Sequence, residues 1–86
     1  MKDSFLFSKI YLNCRRGMLE LDIILTNFLE SEYSNMDGKV LVDFCALLCE
    51  SDNNLYLWLV KRAIPSNNNI IDMVNRINYV TDKKVF

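Results

Sequence analysis

Apolar residues recur along this chain at steps of three and four, the spacing of amphipathic helices, without the strict alternation of a half-buried strand. Residues 4–14 predict a first helix, capped by Ser4 or Asp3, with Phe7, Ile10, Tyr11 and Cys14 on its apolar face. Lys9 and Asn13 fall on its more polar side. A second helix, expected to be the longest, covers about residues 18–33. Met18, Leu21, Leu25, Phe28 and Leu29 form its apolar stripe; Glu20, Ile23 and Asn27 lie on another face. Glu30 and Glu32 close it with the unfavourable sign for a helix C-terminus, which suggests a role beyond helix stability.

The turn cluster Ser34-Asn35-Met36-Asp37-Gly38 then offers Asp37 as N-cap of a third helix, with Met36 placed to staple against Leu41. Val40, Leu41, Phe44, Leu47 and Leu48 continue it as a clear amphipathic series. Asp52 is expected to cap a short fourth helix holding Leu55, Trp58 and Leu59, with Lys61 and Arg62 at its C-terminal end, where the dipole favours cations. Pro65 stops continuation. A fifth helix carries Ile70, Met73, Val74 and Ile77 and is expected to fray after Tyr79, leaving residues 81–86 as a tail. Short connections between five such segments predict an all-α fold, a compact five-helix bundle forming one domain over residues 1–86.

Composition narrows the class. A chain of 86 residues has room for one core, and by size scaling buries only about 60–65% of its unfolded surface, so every helix must contribute. The longest apolar run, Leu55 to Val60, is far shorter than the ~18–20 residues that span a bilayer. The N-terminal stretch fits neither a signal peptide nor an Arg-rich presequence, so a bacterial cytoplasmic location is expected. A net charge of −1 gives no electrostatic reason to expect nucleic acid, and a monomer is expected. Cys14, Cys45 and Cys49 form an odd set, unlike a disulfide framework. With no histidine in the chain they complete no tetrahedral zinc site, and are read as small buried apolar residues; no metal is expected.

The first two helices meet at Cys14-Arg15-Arg16-Gly17-Met18-Leu19-Glu20-Leu21-Asp22, which holds one of the two glycines. With Gly17 as N-cap, Glu20 stands at N3, where a carboxylate can reach back to free backbone N–H groups. Arg15 and Arg16 precede the cap and are expected to project. This corner is either a helix start or a docking surface. Glycine lacks the side-chain acceptor of a good cap, and an Arg16-to-Glu20 pair is the weaker helical orientation, worth ~0.2–0.5 kcal/mol at best. Gly17 is then read as a place for close approach of another surface, or for a φ other residues avoid. If the first two helices pack side by side, Lys9 and the arginine corner border one recognition surface. Trp58 shares a stripe with Leu55 and Leu59 and is read as core.

Catalysis finds little support. The absence of histidine removes the commonest general acid–base, no serine or cysteine has a basic partner at a recognised spacing, and Glu20 and Asp22 point apart. A binding module is the better class.

The run Arg15 to Asp22 resembles the signature of the SdhE-type succinate dehydrogenase assembly factors, whose core is RGxxE: here Arg16, Gly17 and Glu20. The resemblance continues through Phe28, Glu32-Tyr33, Phe44, Leu47-Leu48, and Asp52 with Leu55, Trp58 and Leu59. It departs at Leu12, where the family often has tryptophan, and at Asn53-Asn54, where proline often follows the aspartate. The resemblance implies a small helical factor promoting covalent attachment of FAD to the flavoprotein subunit of succinate dehydrogenase, fumarate reductase, or both. The nucleophile in that chemistry is a histidine of the flavoprotein attacking the flavin 8α-methyl position, so the factor itself would hold no stable cofactor. Arg16, Gly17 and Glu20 would form the docking surface, Met18 an apolar contact beside them, with Lys9, Arg15 and Asp22 completing it. A general helical adaptor with another partner is the alternative.

Overall fold

The periodic segments fold as five α-helices within residues 4–83, the part of the chain described by the computed structural model. They are α1 (Ser4–Cys14), α2 (Leu19–Glu32), α3 (Gly38–Leu48), α4 (Asp52–Leu59) and α5 (Asn68–Lys83), with one 3-10 turn, Tyr33–Asn35, after α2. No strand occurs among the described residues. The expected caps at Asp3 and the tail residues 84–86 lie outside them.

The core is the sum of the predicted stripes. Ile10 and Cys14 of α1 meet Leu21, Leu25, Phe28 and Leu29 of α2, Phe44, Leu47 and Leu48 of α3, Leu55 and Leu59 of α4, and Met73, Val74 and Ile77 of α5. Central α2 packs against α1, α4 and α5, while α3 packs on α1 and α5. The Phe28 and Phe44 rings lie 5.4 Å apart, tilted, and join α2 to α3. Trp58 is half-buried against this cluster, as expected of a core-side residue. The radius of gyration, 12.0 Å, matches the ~12 Å of a compact domain this long.

Asp37 caps α3 by accepting from the Val40 N–H at 2.9 Å. Met36 before it is buried and Leu41 packs against the core, the arrangement of a hydrophobic staple. Four expectations need correction. Ser51, not Asp52, caps α4, accepting from Asn54 N–H at 3.1 Å; Asp52 opens the helix and is engaged elsewhere. The chain leaves α4 at Leu59, well before Pro65, and Arg62 takes a left-handed φ of 63°. Lys61 and Arg62 therefore lie past the last turn. The longest helix is α5, with 16 residues against 14 in α2, and it runs through Tyr79 to Lys83 instead of fraying. Thr81 Oγ1 donates to Ile77 O at 2.8 Å, and Asp82 pairs with Arg62 at 2.6 and 3.3 Å, so this last turn is tied down.

That tie should be visible in pH. The Arg62 hydrogen bond holds Asp82 below its ordinary value of 3.8. A carboxylate depressed in the folded state stabilises above the unfolded value and loses that contribution as pH falls through its folded one. Asp82→Asn is therefore expected to melt slightly below the parent at neutral pH, the two melting curves converging well below pH 3.8. Thermal melts across that range check it; a gap that widens on acidification contradicts the assignment. Both side chains are largely solvated, so the effect is small.

Candidate functional site

The α1–α2 corner turns at Gly17, whose φ is +86°. Glycine takes this region freely, whereas L side chains rarely do. Met18 follows in extended conformation (φ −109°, ψ 116°) as the N-cap of α2, without a side-chain capping bond; its carbonyl accepts from Asp22 N–H at 2.9 Å. The cap thus sits one residue later than the sequence suggests, and Glu20 becomes N2. The carboxylate that reaches back is Asp22: its Oδ1 accepts from Arg16 N–H at 2.5 Å, and its Oδ2 lies 3.7 Å from Arg15 Nε.

Arg16 does not project. Its side chain is 17% exposed and folds under the corner. Nε donates to Asp52 Oδ1 at 2.8 Å, Nη1 to the carbonyls of Asn13 and Leu48, both at 2.9 Å, and Nη2 to Glu50 O at 3.0 Å. Helices end with unsatisfied carbonyls, and a guanidinium presents five donors in a rigid fork, so one arginine serves two helix ends and an aspartate at once. Asp52, expected as a cap of α4, is instead a partner of Arg16. The signal for its role was its place in the same resemblance that contains Arg16, 36 residues away.

What faces outward is different. Arg15 is largely exposed. Glu20 is exposed and makes no hydrogen bond or ion pair with a described residue. A Cβ built on Gly17 would have nothing within 4 Å. Met18 is half-buried against the core, and two apolar residues of α2, Leu19 (72% exposed) and Ile23 (41%), stand beside Glu20 in solvent. Glu20 and Ile23 also line a shallow groove with Ile24 and Thr81. The sequence did not single out Leu19, since an exposed leucine reads like any other helical leucine until packing is known. Lys9 makes no hydrogen bond or ion pair with a corner residue among those described. It is exposed on α1 with its Nζ 5.5 Å from the Phe5 ring, six residues and ~9 Å of helix from Arg15. Glu30 and Glu32, at the far end of α2, line separate grooves, Glu30 with Phe7 and Tyr11, Glu32 with Arg76 and Lys83.

Cys14 lies buried beneath the corner. Burial pushes its thiol up to about 12 against the lowering influence of nearby Arg16, so it stays protonated and unreactive near neutral pH. Cys45 is half-buried, but Cys49, the C-cap of α3, is exposed, contrary to its reading as a buried residue. No group of three or more acidic or cysteine side chains able to hold a metal occurs among the described residues. No described helix is long and apolar enough to cross a membrane.

The helical bundle presents from one corner a glycine turn, a carboxylate without a partner among the described residues and exposed apolar side chains, a surface suited to contact with another protein. The chain belongs to the family described as "Flavinator of succinate dehydrogenase", whose profile matches residues 8–81. It is similar to several proteins named FAD assembly factor SdhE. That of Wigglesworthia glossinidia brevipalpis is 39% identical over 70 residues, 81% of this chain and 83% of that protein. The Pseudomonas aeruginosa protein is 32% identical over 77 residues, 90% and 92% of the two chains. The Coxiella burnetii protein is 32% identical over 81 residues, 94% and 99%. No solved structure matches the chain.

Proposed function

We propose that this protein is a non-catalytic assembly factor that docks on the flavoprotein subunit of succinate dehydrogenase and promotes covalent attachment of FAD to it. Fumarate reductase's flavoprotein, being of the same chemical kind, is a second client. The factor acts as a monomer in the bacterial cytoplasm and keeps no flavin or metal of its own. The observation that carries the reading is Glu20: an exposed carboxylate with no partner among the described residues, beside a glycine turn open to solvent, inside the stretch that family membership points to.

Gly17, Met18, Glu20 and the flanking Leu19 and Ile23 supply the contact, with Arg15 at its edge. A standard interface takes ~800 Å² per partner, about a seventh of the 5486 Å² surface here, so one face of α2 and the corner suffice. Binding energy at this face favours the flavoprotein conformation in which flavin and its histidine are correctly juxtaposed, and the bond forms inside the flavoprotein. The factor then leaves before the iron–sulfur subunit docks.

Reconstitution tests this. Purified apo-flavoprotein incubated with FAD is resolved under denaturing conditions and scored for in-gel flavin fluorescence, with and without the factor. A clear gain in covalent flavin on the flavoprotein band, with none on the factor's own band, is expected. Equal fluorescence in both lanes removes the flavinylation role and leaves a general adaptor.

A further inference from the structure

The guanidinium of Arg16 is nearly used up inside the protein. Four of its five N–H donors are engaged. Their acceptors come from the end of α1 (Asn13 O), the end of α3 and the turn after it (Leu48 O, Glu50 O), and the first turn of α4 (Asp52). The backbone of the same residue is held too, its N–H donating to Asp22 in α2. Four helices thus converge on one arginine, immediately before the residue that turns the chain. Gly17 has no side chain of its own to hold the turn, so its path is set by Arg16 on one side and Met18 on the other.

We propose that Arg16 is a positioning residue: together with Asp52 it locks the α1–α2 corner onto the α3–α4 corner and fixes how Gly17, Met18 and Glu20 are presented to the partner. The docking half rests on the function proposed above. Two distant parts of the sequence, the Arg-Gly run and the aspartate opening α4, then act as one physical unit. A direct contact role leaves different traces. A partner-facing cation tolerates lysine, because charge is kept, and does not depend on Asp52. A clamp does not tolerate lysine, since one ammonium cannot span acceptors on separate segments.

The test uses Arg16→Lys, Asp52→Asn and the double variant, with two readouts on the folded full-length protein. Backbone amide exchange at Arg16 and Asp22, referred to α5 amides, reports the corner without any partner. Titration with apo-flavoprotein, corrected for folded fraction, reports docking. Arg16→Lys is expected to speed corner exchange and weaken binding by about tenfold or more each, and Asp52→Asn to move both in the same direction by less. The double variant should be no worse than Arg16→Lys alone. Three results overturn the proposal: parent-like binding by Arg16→Lys, losses in the double variant that simply add, or corner exchange unchanged in Asp52→Asn. Should Arg16→Lys fail to fold, Asp52→Asn still decides through the same two readouts. If the parent itself does not bind flavoprotein, the proposed function fails, while the exchange data still decide whether Arg16 and Asp52 form the clamp.

Discussion

Gly17→Val is expected to abolish flavoprotein binding, and Gly17→Asn to weaken it about 5–150-fold while leaving the fold nearly as stable as the parent's. The pair separates two uses of one glycine. At φ +86° a β-branched residue is strained whatever the space around it, at a cost of order 1–3 kcal/mol. Valine therefore combines strain with bulk, and its failure alone would not say which mattered. Asparagine is among the residues that enter the left-handed region at little cost. Since nothing lies within 4 Å of a Cβ at this position, the new side chain meets no internal neighbour. Its effect on melting should then correspond to less than ~1 kcal/mol. Against a close-packed partner the same side chain overpacks the interface by ~1–3 kcal/mol, the source of the fold-change given above. Thermal melts beside a binding titration measure both. Parent-like binding by Gly17→Asn would reduce Gly17 to a turn residue.

Glu20→Ala is the second large effect, and it runs the opposite way from a capping role. The carboxylate makes no hydrogen bond or ion pair with a described residue, so its removal costs the free protein at most the helix-dipole contribution, ~0.3–1 kcal/mol. A hydrogen bond from the partner to a charged group is worth ~1.5–3 kcal/mol, so affinity should fall about 10–150-fold. In the reconstitution, covalent flavin should fall at limiting factor and recover at high factor concentration. Were lost flavinylation to track a lowered melting temperature, with the folded fraction binding normally, Glu20 would be a structural residue. The carboxylate that does serve the fold is Asp22, two positions on, which holds the Arg16 N–H.

The fold was legible because each helix carries its burial pattern locally. The stripe Val40, Leu41, Phe44, Leu47, Leu48 with Asp37 ahead of it specifies α3 without reference to anything else, and α3 forms with that cap. Errors gathered where the deciding partner is distant. The local pattern predicts fraying after Tyr79, but Arg62 reaches across to Asp82 and holds the last turn. Asp52 has the local look of a cap, but Arg16, 36 residues away, engages its carboxylate, and Ser51 caps the helix. The site divides the same way. Gly17 stands out locally because a glycine between two helical patterns signals an unusual φ. Lys9 is expected beside the corner only if α1 and α2 pack together, which no local pattern states; they do, and Lys9 stands exposed on α1.

By itself, then, the sequence determined the helices, the apolar face of each, the need for a glycine at the first corner and the resemblance that family membership bears out. Those properties depend on residues within one or two turns of each other. Only the tertiary structure decided which charged groups of the corner are spent within the protein and which stay exposed to solvent. Arg15 and Arg16 are adjacent and chemically identical, but α3 and α4 end and begin beneath the second alone. Its donors find the carbonyls of Leu48 and Glu50 and the carboxylate of Asp52, while Arg15 stays largely in solvent. No local rule distinguishes them, because the acceptors come from segments more than thirty residues away.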